Sequence, residues 1–441
     1  MVAEPCTPSR RSARALALAA LGLVSCVWQA PAHAQLRLPQ LNLPTPSVLP
    51  QRPLPALPEV LSTAVPLQDL RTNTVRELLR RNPDALEADP RGEPMRRHEL
   101  VLVSPSPATV DAAVRSGFTV LREQTLGELE LRQVVVRTPP DSGTAEALAR
   151  LRAIDPQLQV DFNHLYTRSG DTPTGRVDGV AASHVGSRRV GLIDSGIDRR
   201  HRALRSARVQ TWGCNAADLP SAHGTAVVSL LVGRDAAFAG VAPESMLLAA
   251  DVYCDQATGG AVDDIVQAMA WLARERVAVI NISLVGPPNR ALEHAVQALI
   301  KRGHLLVAAV GNDGPAAPPL YPASYAGVVG VTGVLPSRRV LPEAAQGSQV
   351  MFAAPGAELA VARTGGGYLS ARGTSYAAPL VAGLLAEWLS TPEPAAAVAA
   401  LARLADAAQD LGAAGRDPVY GLGLVGEGAR IAPERVQAQA R

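Results

Sequence analysis

Four short segments of this chain carry side chains with complementary chemistry: Asp194 in Gly191-Leu-Ile-Asp-Ser-Gly-Ile-Asp198, His223 in His223-Gly-Thr225, Asn312 in Val310-Gly-Asn-Asp-Gly314, and Ser375 in Gly373-Thr-Ser-Tyr-Ala-Ala-Pro379. A hydroxyl relayed through an imidazole to a carboxylate is a nucleophile able to attack an amide carbonyl, and a side-chain amide can hold the resulting oxyanion. Each residue alone has an ordinary reading. Asp194 before Ser195-Gly196 reads as a turn aspartate, His223 as a buried polar histidine, Asn312 as a turn residue, and Ser375 beside Thr374 as a helix N-cap.

The elements that must position these groups alternate. Apolar runs at 190–194, 209–212, 247–252, 277–282, 305–310 and 328–331 read as strands, and 223–232, 263–274 and 291–302 as helices between them. Continuous apolar strands separated by helices predict an α/β domain with a mostly parallel sheet covered on both faces. Asp194, Ser283 and Asn312 then fall at carboxyl ends of strands, where open sheets of this kind keep their ligands. Ser375 precedes an Ala/Leu-rich helix, and Pro379 is expected in its first turn, where few hydrogen bonds are lost.

Upstream, 99–104, 119–124, 129–138 and 160–166 read as strands, with 108–116 and 144–154 as helices. The order β-α-β-β-α-β is that of a ferredoxin-like unit. Prolines recur from Leu36 to Pro66 without helical period, as in an extended spacer, and a short helical patch at 74–81 stops before Pro83.

Bulk properties narrow the function classes. The 441 residues suffice for a large core and a smaller module. With 42 basic and 40 acidic residues the formal charge is +2, no field to attract nucleic acid or an anionic membrane. Lys301 is the only lysine. Arg10, Arg11 and Arg14 precede an apolar run from Ala15 to Val27, and Ala32-His33-Ala34 offers a small-residue cleavage site, the layout of an export signal. Leu23-Val-Ser-Cys26 allows the alternative of a lipoprotein signal, with membrane attachment through a lipid on Cys26. Either cut leaves Cys214 and Cys254, which read as a disulfide in an oxidising compartment or as two buried thiols.

The order Asp, His, Ser, with an amide between the last two, excludes the α/β-hydrolase and chymotrypsin orders. In these four blocks, over roughly Arg189 to Val425, the chain resembles a subtilisin-like serine protease, a subtilase. The resemblance implies a subtilisin-like three-layer α/β fold, with Ser375 as nucleophile, His223 as general base and then acid, and Asp194 as orienting carboxylate. It also implies an oxyanion hole from Asn312 and the Ser375 N–H. The similar sedolisins lack this His and this Asn.

The same resemblance implies that Ser283, Leu284, Val285 and Gly286 form an edge pairing with an extended peptide, with Gly259 and Gly260 on the opposite rim. Val285 stands where many relatives have glycine and is expected to narrow the nearby pocket. The stretch Leu231 to Gly240 lacks the asparagine-rich calcium loop of subtilisin, so no metal or other cofactor is expected to be required, and calcium stays open. Cys214 and Cys254 would lie near the ends of two neighbouring strands of the family's sheet. The small upstream module resembles a subtilase propeptide, with Phe162-Asn-His-Leu-Tyr166 lying in the cleft and self-cleavage between Tyr166 and Gly186; a separate binding domain is the alternative.

The expected organisation is a signal peptide (1–34), Pro-rich linker and short helix (35–98), ferredoxin-like propeptide (99–166), linker (167–186), catalytic domain (187–430) and tail (431–441). The expected function is a secreted or periplasmic serine endopeptidase acting on proteins or peptides and bound by its own propeptide. An idle subtilase-like binding module and an esterase are the alternatives.

Overall fold

The computed structural model describes residues 69–168, 188–256 and 258–438. The export signal, Cys26, the Pro-rich spacer and the expected cleavage region after Arg168 lie outside the described residues.

Seven parallel strands form the main sheet, in the spatial order Val350–Pro355, Val329–Val334, Leu305–Ala309, Val279–Ile282, Arg189–Asp194, Met246–Asp251 and Val209–Trp212. Helices Val262–Arg274 and Arg290–Lys301 pack against one face, and Ala222–Val232 and Thr374–Ala386 against the other. This is the expected three-layer α/β fold. Its central strands are buried on both sides, so their residues are apolar without alternation. The edge strand Val350–Pro355, the hairpin Leu359–Ala362 with Tyr368–Ala371, and the helix Pro394–Asp406 were not foreseen.

The smaller sheet is antiparallel. Strands Pro94–Val103, Thr119–Leu126, Leu131–Arg137 and Gln159–His164 are connected through helices Pro107–Arg115 and Thr144–Ile154, and the first strand lies between the third and the fourth. That is the ferredoxin-like arrangement. The sheet also begins earlier than residue 99, because Leu86–Ala88 pairs with Pro94–Arg96 and helix Asp69–Arg81 packs beside them. Met95-Arg-Arg-His98 hid this part of the strand, since the charge of Arg96 finds its partners, Asp263 and Asp264, far along the chain.

Alternation along Leu100–Val103 assigns the two faces. Leu100 and Leu102 join the module's own core with Ala113, Val134 and Leu151, whereas Val101 and Val103 join the core of helices Val262–Arg274 and Arg290–Lys301. The small sheet is thereby docked on the two helices of the large fold.

Candidate active site

Asp194 ends the central strand Arg189–Asp194, and His223 is the second residue of helix Ala222–Val232. His223 Nδ1 lies 2.9 Å from Asp194 Oδ1, and its Nε2 lies 3.0 Å from Ser375 Oγ. The same Asp194 oxygen accepts the Ser195 N–H at 2.6 Å and the Ser195 hydroxyl at 2.9 Å. A ring that donates Nδ1–H to the carboxylate presents Nε2 as acceptor to the Ser375 hydroxyl. Asp194 is 1% exposed, His223 5% and Ser375 0%.

Two glycines permit this convergence. A Cβ on Gly224 would stand 2.2 Å from the Ser195 carbonyl oxygen, and one on Gly196 would stand 1.8 Å from that of Leu219. Only hydrogen at these positions lets the histidine helix approach the turn after Asp194.

Ser375 is the second residue of helix Thr374–Ala386, where backbone N–H groups lack intrahelical acceptors. Pro379 is the sixth residue, beyond the first turn where it was expected. A proline there removes the N–H that would have reached the carbonyl four residues back, which is that of Ser375. Ser283 Oγ, held by Asn281 Nδ2 at 2.7 Å, donates to that carbonyl at 3.1 Å. Proline and serine therefore compensate each other directly beneath the hydroxyl.

Asn312 follows Gly311, whose φ of 104° suits glycine. The Thr374 N–H donates to Asn312 Oδ1 at 3.0 Å, and the Gly311 N–H donates to Thr374 Oγ1 at 3.2 Å. With Oδ1 engaged by the residue before Ser375, the donor end of the amide is turned the other way.

The chain's own residues 165–168 lie between two rims. Thr167 and Arg168 pair antiparallel with Val285 and Leu284. Across from them the Tyr166 N–H donates to the Gly260 carbonyl at 2.8 Å, and Leu165 bridges Ala261. Gly286 faces the Tyr166 ring, where a Cβ would come within 2.6 Å of it. Of the six expected substrate-binding residues, Gly260, Leu284, Val285 and Gly286 thus touch this segment. Gly259 instead packs against the Tyr253 backbone, and Ser283 turns inward to Ser375. Val285 is buried and pairs with Thr167.

Tyr253 was missed: its hydroxyl donates to the Tyr166 carbonyl at 2.8 Å. Its position just beyond the carboxyl end of strand Met246–Asp251 was the available signal. Arg71 was missed as well. From helix Asp69–Arg81 it pairs with Glu93 and lies 3.8 Å from Asp313, the neighbour of Asn312. Burial pushes the Asp313 carboxyl up to about 6, against the pull of Arg71.

Cys214 and Cys254 form a disulfide at the ends of neighbouring strands Val209–Trp212 and Met246–Asp251. Together with Asp251 they make the one trio of metal-capable side chains among the described residues, but both sulfurs are bonded to each other. In the loop Leu231 to Gly240, the Asp235 carboxylate accepts from the Ala237 N–H and the Tyr368 hydroxyl and faces Arg202 at 3.0 Å.

A model of the subtilase family matches residues 187–423, over half of the chain. The chain belongs to the subtilase family. Among curated proteins, this subtilase is 32% identical over 247 residues to the minor extracellular protease Epr of Bacillus subtilis, covering 54% of this chain and 37% of the relative. It is 33% identical over 211 residues to a subtilisin of Bacillus pumilus, covering 46% of this chain and 76% of the relative. The chain therefore spans little more than a third of Epr. Among solved structures, fervidolysin from Fervidobacterium pennivorans, titled a keratinolytic enzyme related to subtilisin, aligns with a TM-score of 0.62 at 17% identity. That alignment covers 80% of this chain and 62% of fervidolysin, and it speaks for the fold alone.

Proposed function

We propose that this subtilase is an exported serine endopeptidase made as a self-inhibited precursor. The observation that carries the reading is the buried line from Asp194 through His223 to Ser375, with contacts of 2.9 and 3.0 Å.

In this reading Ser375 Oγ attacks the scissile carbonyl carbon while His223 Nε2 takes its proton. The oxyanion is met by the Asn312 side-chain amide and the Ser375 N–H. The imidazolium, stabilised and oriented by Asp194, returns the proton to the leaving amine, which departs and leaves an acyl group on Ser375. Water, deprotonated by the same imidazole, then attacks the acyl carbon, and the serine leaves with the proton.

Self-inhibition is supported by residues 165–168 lying between the two rims, and by the small sheet docked on helices Val262–Arg274 and Arg290–Lys301. Export is supported by the basic and apolar residues of the first 34 positions and by a disulfide suited to an oxidising compartment. The relative Epr is itself named extracellular. No helix among the described residues is long and apolar enough to cross a membrane. Protein or peptide substrates would pair with both rims by backbone hydrogen bonds.

The test is expression of the full chain and its Ser375→Ala variant, followed by mass spectrometry and labelling with a fluorophosphonate. The wild type is expected to cut itself between Tyr166 and Gly186 and to take the label, and the variant to stay intact and unlabelled. A wild type that is neither cut nor labelled overturns the reading.

A further inference from the structure

The segment in the cleft makes two kinds of contact. Its backbone pairing with Gly260, Leu284 and Val285 is indifferent to sequence, so selection among peptides falls to side chains. Two side chains of the segment have built surroundings.

Tyr166 is 1% exposed, and its hydroxyl donates to the Pro287 carbonyl at 2.5 Å. Its ring lies on Gly286, where any Cβ would collide, and its carbonyl accepts the Tyr253 hydroxyl. This pocket holds a phenol along its full length.

Two residues on, the Arg168 guanidinium carbon stands 4.6 Å from the centroid of the Tyr253 ring. Tyr253 is 8% exposed and fixed in place, since Asp251 Oδ1 accepts the N–H groups of Tyr253 and Cys254 at 2.9 and 3.0 Å, and Cys254 is tied to Cys214. Burial pushes the Asp251 carboxyl up, and the positive charge of Arg168 works against that rise. A cation at this place thus meets an aromatic face and an acidic neighbourhood.

The polarity of the segment is that of a substrate. In its antiparallel register, Thr167 lies opposite Val285 and Arg168 opposite Leu284; Ser283 is the next residue of the edge, and its hydroxyl touches the Ser375 carbonyl. The chain therefore runs from the tyrosine pocket through the cation site toward the nucleophile.

From this we infer that Tyr253 makes the cleft select peptides with arginine or lysine at the place of Arg168, on the acyl side of the cleaved bond. The inference rests on the proposed endopeptidase activity and names its substrate class. The preference is modest in size, because Arg168 is exposed to water.

The test uses the full chain after self-processing and internally quenched peptides built on Leu-Tyr-Thr-Arg-Ser-Gly-Asp, the chain's own sequence from Leu165. Replacing the peptide's arginine by alanine is expected to lower kcat/KM roughly three- to fivefold, with glutamate worse and lysine close to the parent. In Tyr253→Leu the ratio between arginine and alanine peptides should fall to about one. The inference is overturned if the peptide with alanine for arginine is cleaved as well as the parent, if the ratio survives in Tyr253→Leu, or if labelled enzyme cleaves none of them. Enzyme that takes no fluorophosphonate overturns the endopeptidase reading itself, and this inference with it.

Discussion

The interior of the cleft and the seam beside it are built from opposite materials. Around Ser375, hydrogen bonds among Asp194, Ser195, His223, Asn281, Ser283, Asn312 and Thr374 join segments of one continuous fold, and nearly all of them are buried. At the seam, arginines of the upstream module meet acids of the large fold. Arg122 Nη2 lies 2.6 Å from both Asp263 and Glu99, while Arg96 reaches Asp263 at 3.3 Å and Asp264 at 2.8 Å. Beside these ion pairs lies the apolar face of the small sheet, Val101 and Val103 included, and only the charged part recovers strong hydration when such a surface parts. In the proposed precursor, the charged part of the seam is what eases release of the module.

Four experiments break or sharpen this contrast. The largest effect is expected from Ser375→Ala, which should slow self-cleavage on the order of 10⁶-fold, the size known for removing this group from subtilisin. Mass spectrometry of the precursor over time measures it, and residual processing near the wild-type rate would place the nucleophile elsewhere. Next, Asn312→Ala should slow self-cleavage by roughly 10² to 10³, again the subtilisin figure, since it removes the proposed donor to the oxyanion along with the acceptor of the Thr374 N–H. Parallel thermal unfolding should show little change; a large drop would make Asn312 a structural residue.

A smaller effect, and one confined to the seam, is expected from Arg122→Ala in the Ser375→Ala chain. Asp263 is fully buried, so losing one of its two guanidinium partners should destabilise the precursor by about 2 kcal/mol in urea unfolding. Unchanged stability would mean that the docked apolar face, not the charges, holds the module.

The smallest effect concerns Asp313. Its carboxyl rises from 3.8 to about 6 on burial, so between about pH 4 and 6 the folded chain binds a proton that the unfolded chain has lost. Stability from this group is therefore greatest below that window and declines as pH rises through it. Asp313→Asn should flatten that part of the stability profile; an unaltered slope would assign it to another group.

The parts legible beforehand share a cause. Strands at 190–194, 209–212 and 305–310 and helices at 263–274 and 291–302 lie within a residue or two of those observed, because a buried parallel sheet imprints itself locally as apolar runs. Pro94–His98 was illegible because Arg96 earns its place in a strand only through Asp263 and Asp264, which lie more than 160 residues away. Ser283 was expected at the substrate edge, yet the carbonyl left by Pro379 draws its hydroxyl inward. Tyr253 gave no motif to read, and its significance comes from the segment laid across it.

By itself the sequence determined which groups exist, in what order, and which stretches must be strand or helix, since propensity and periodicity act over a few residues. Only the tertiary structure decided that Asp194, His223 and Ser375 come into line, that residues 165–168 occupy the cleft, and that Arg71 reaches the neighbour of Asn312. These are contacts between residues far apart in the chain, and they follow from how whole faces pack, which no local pattern encodes.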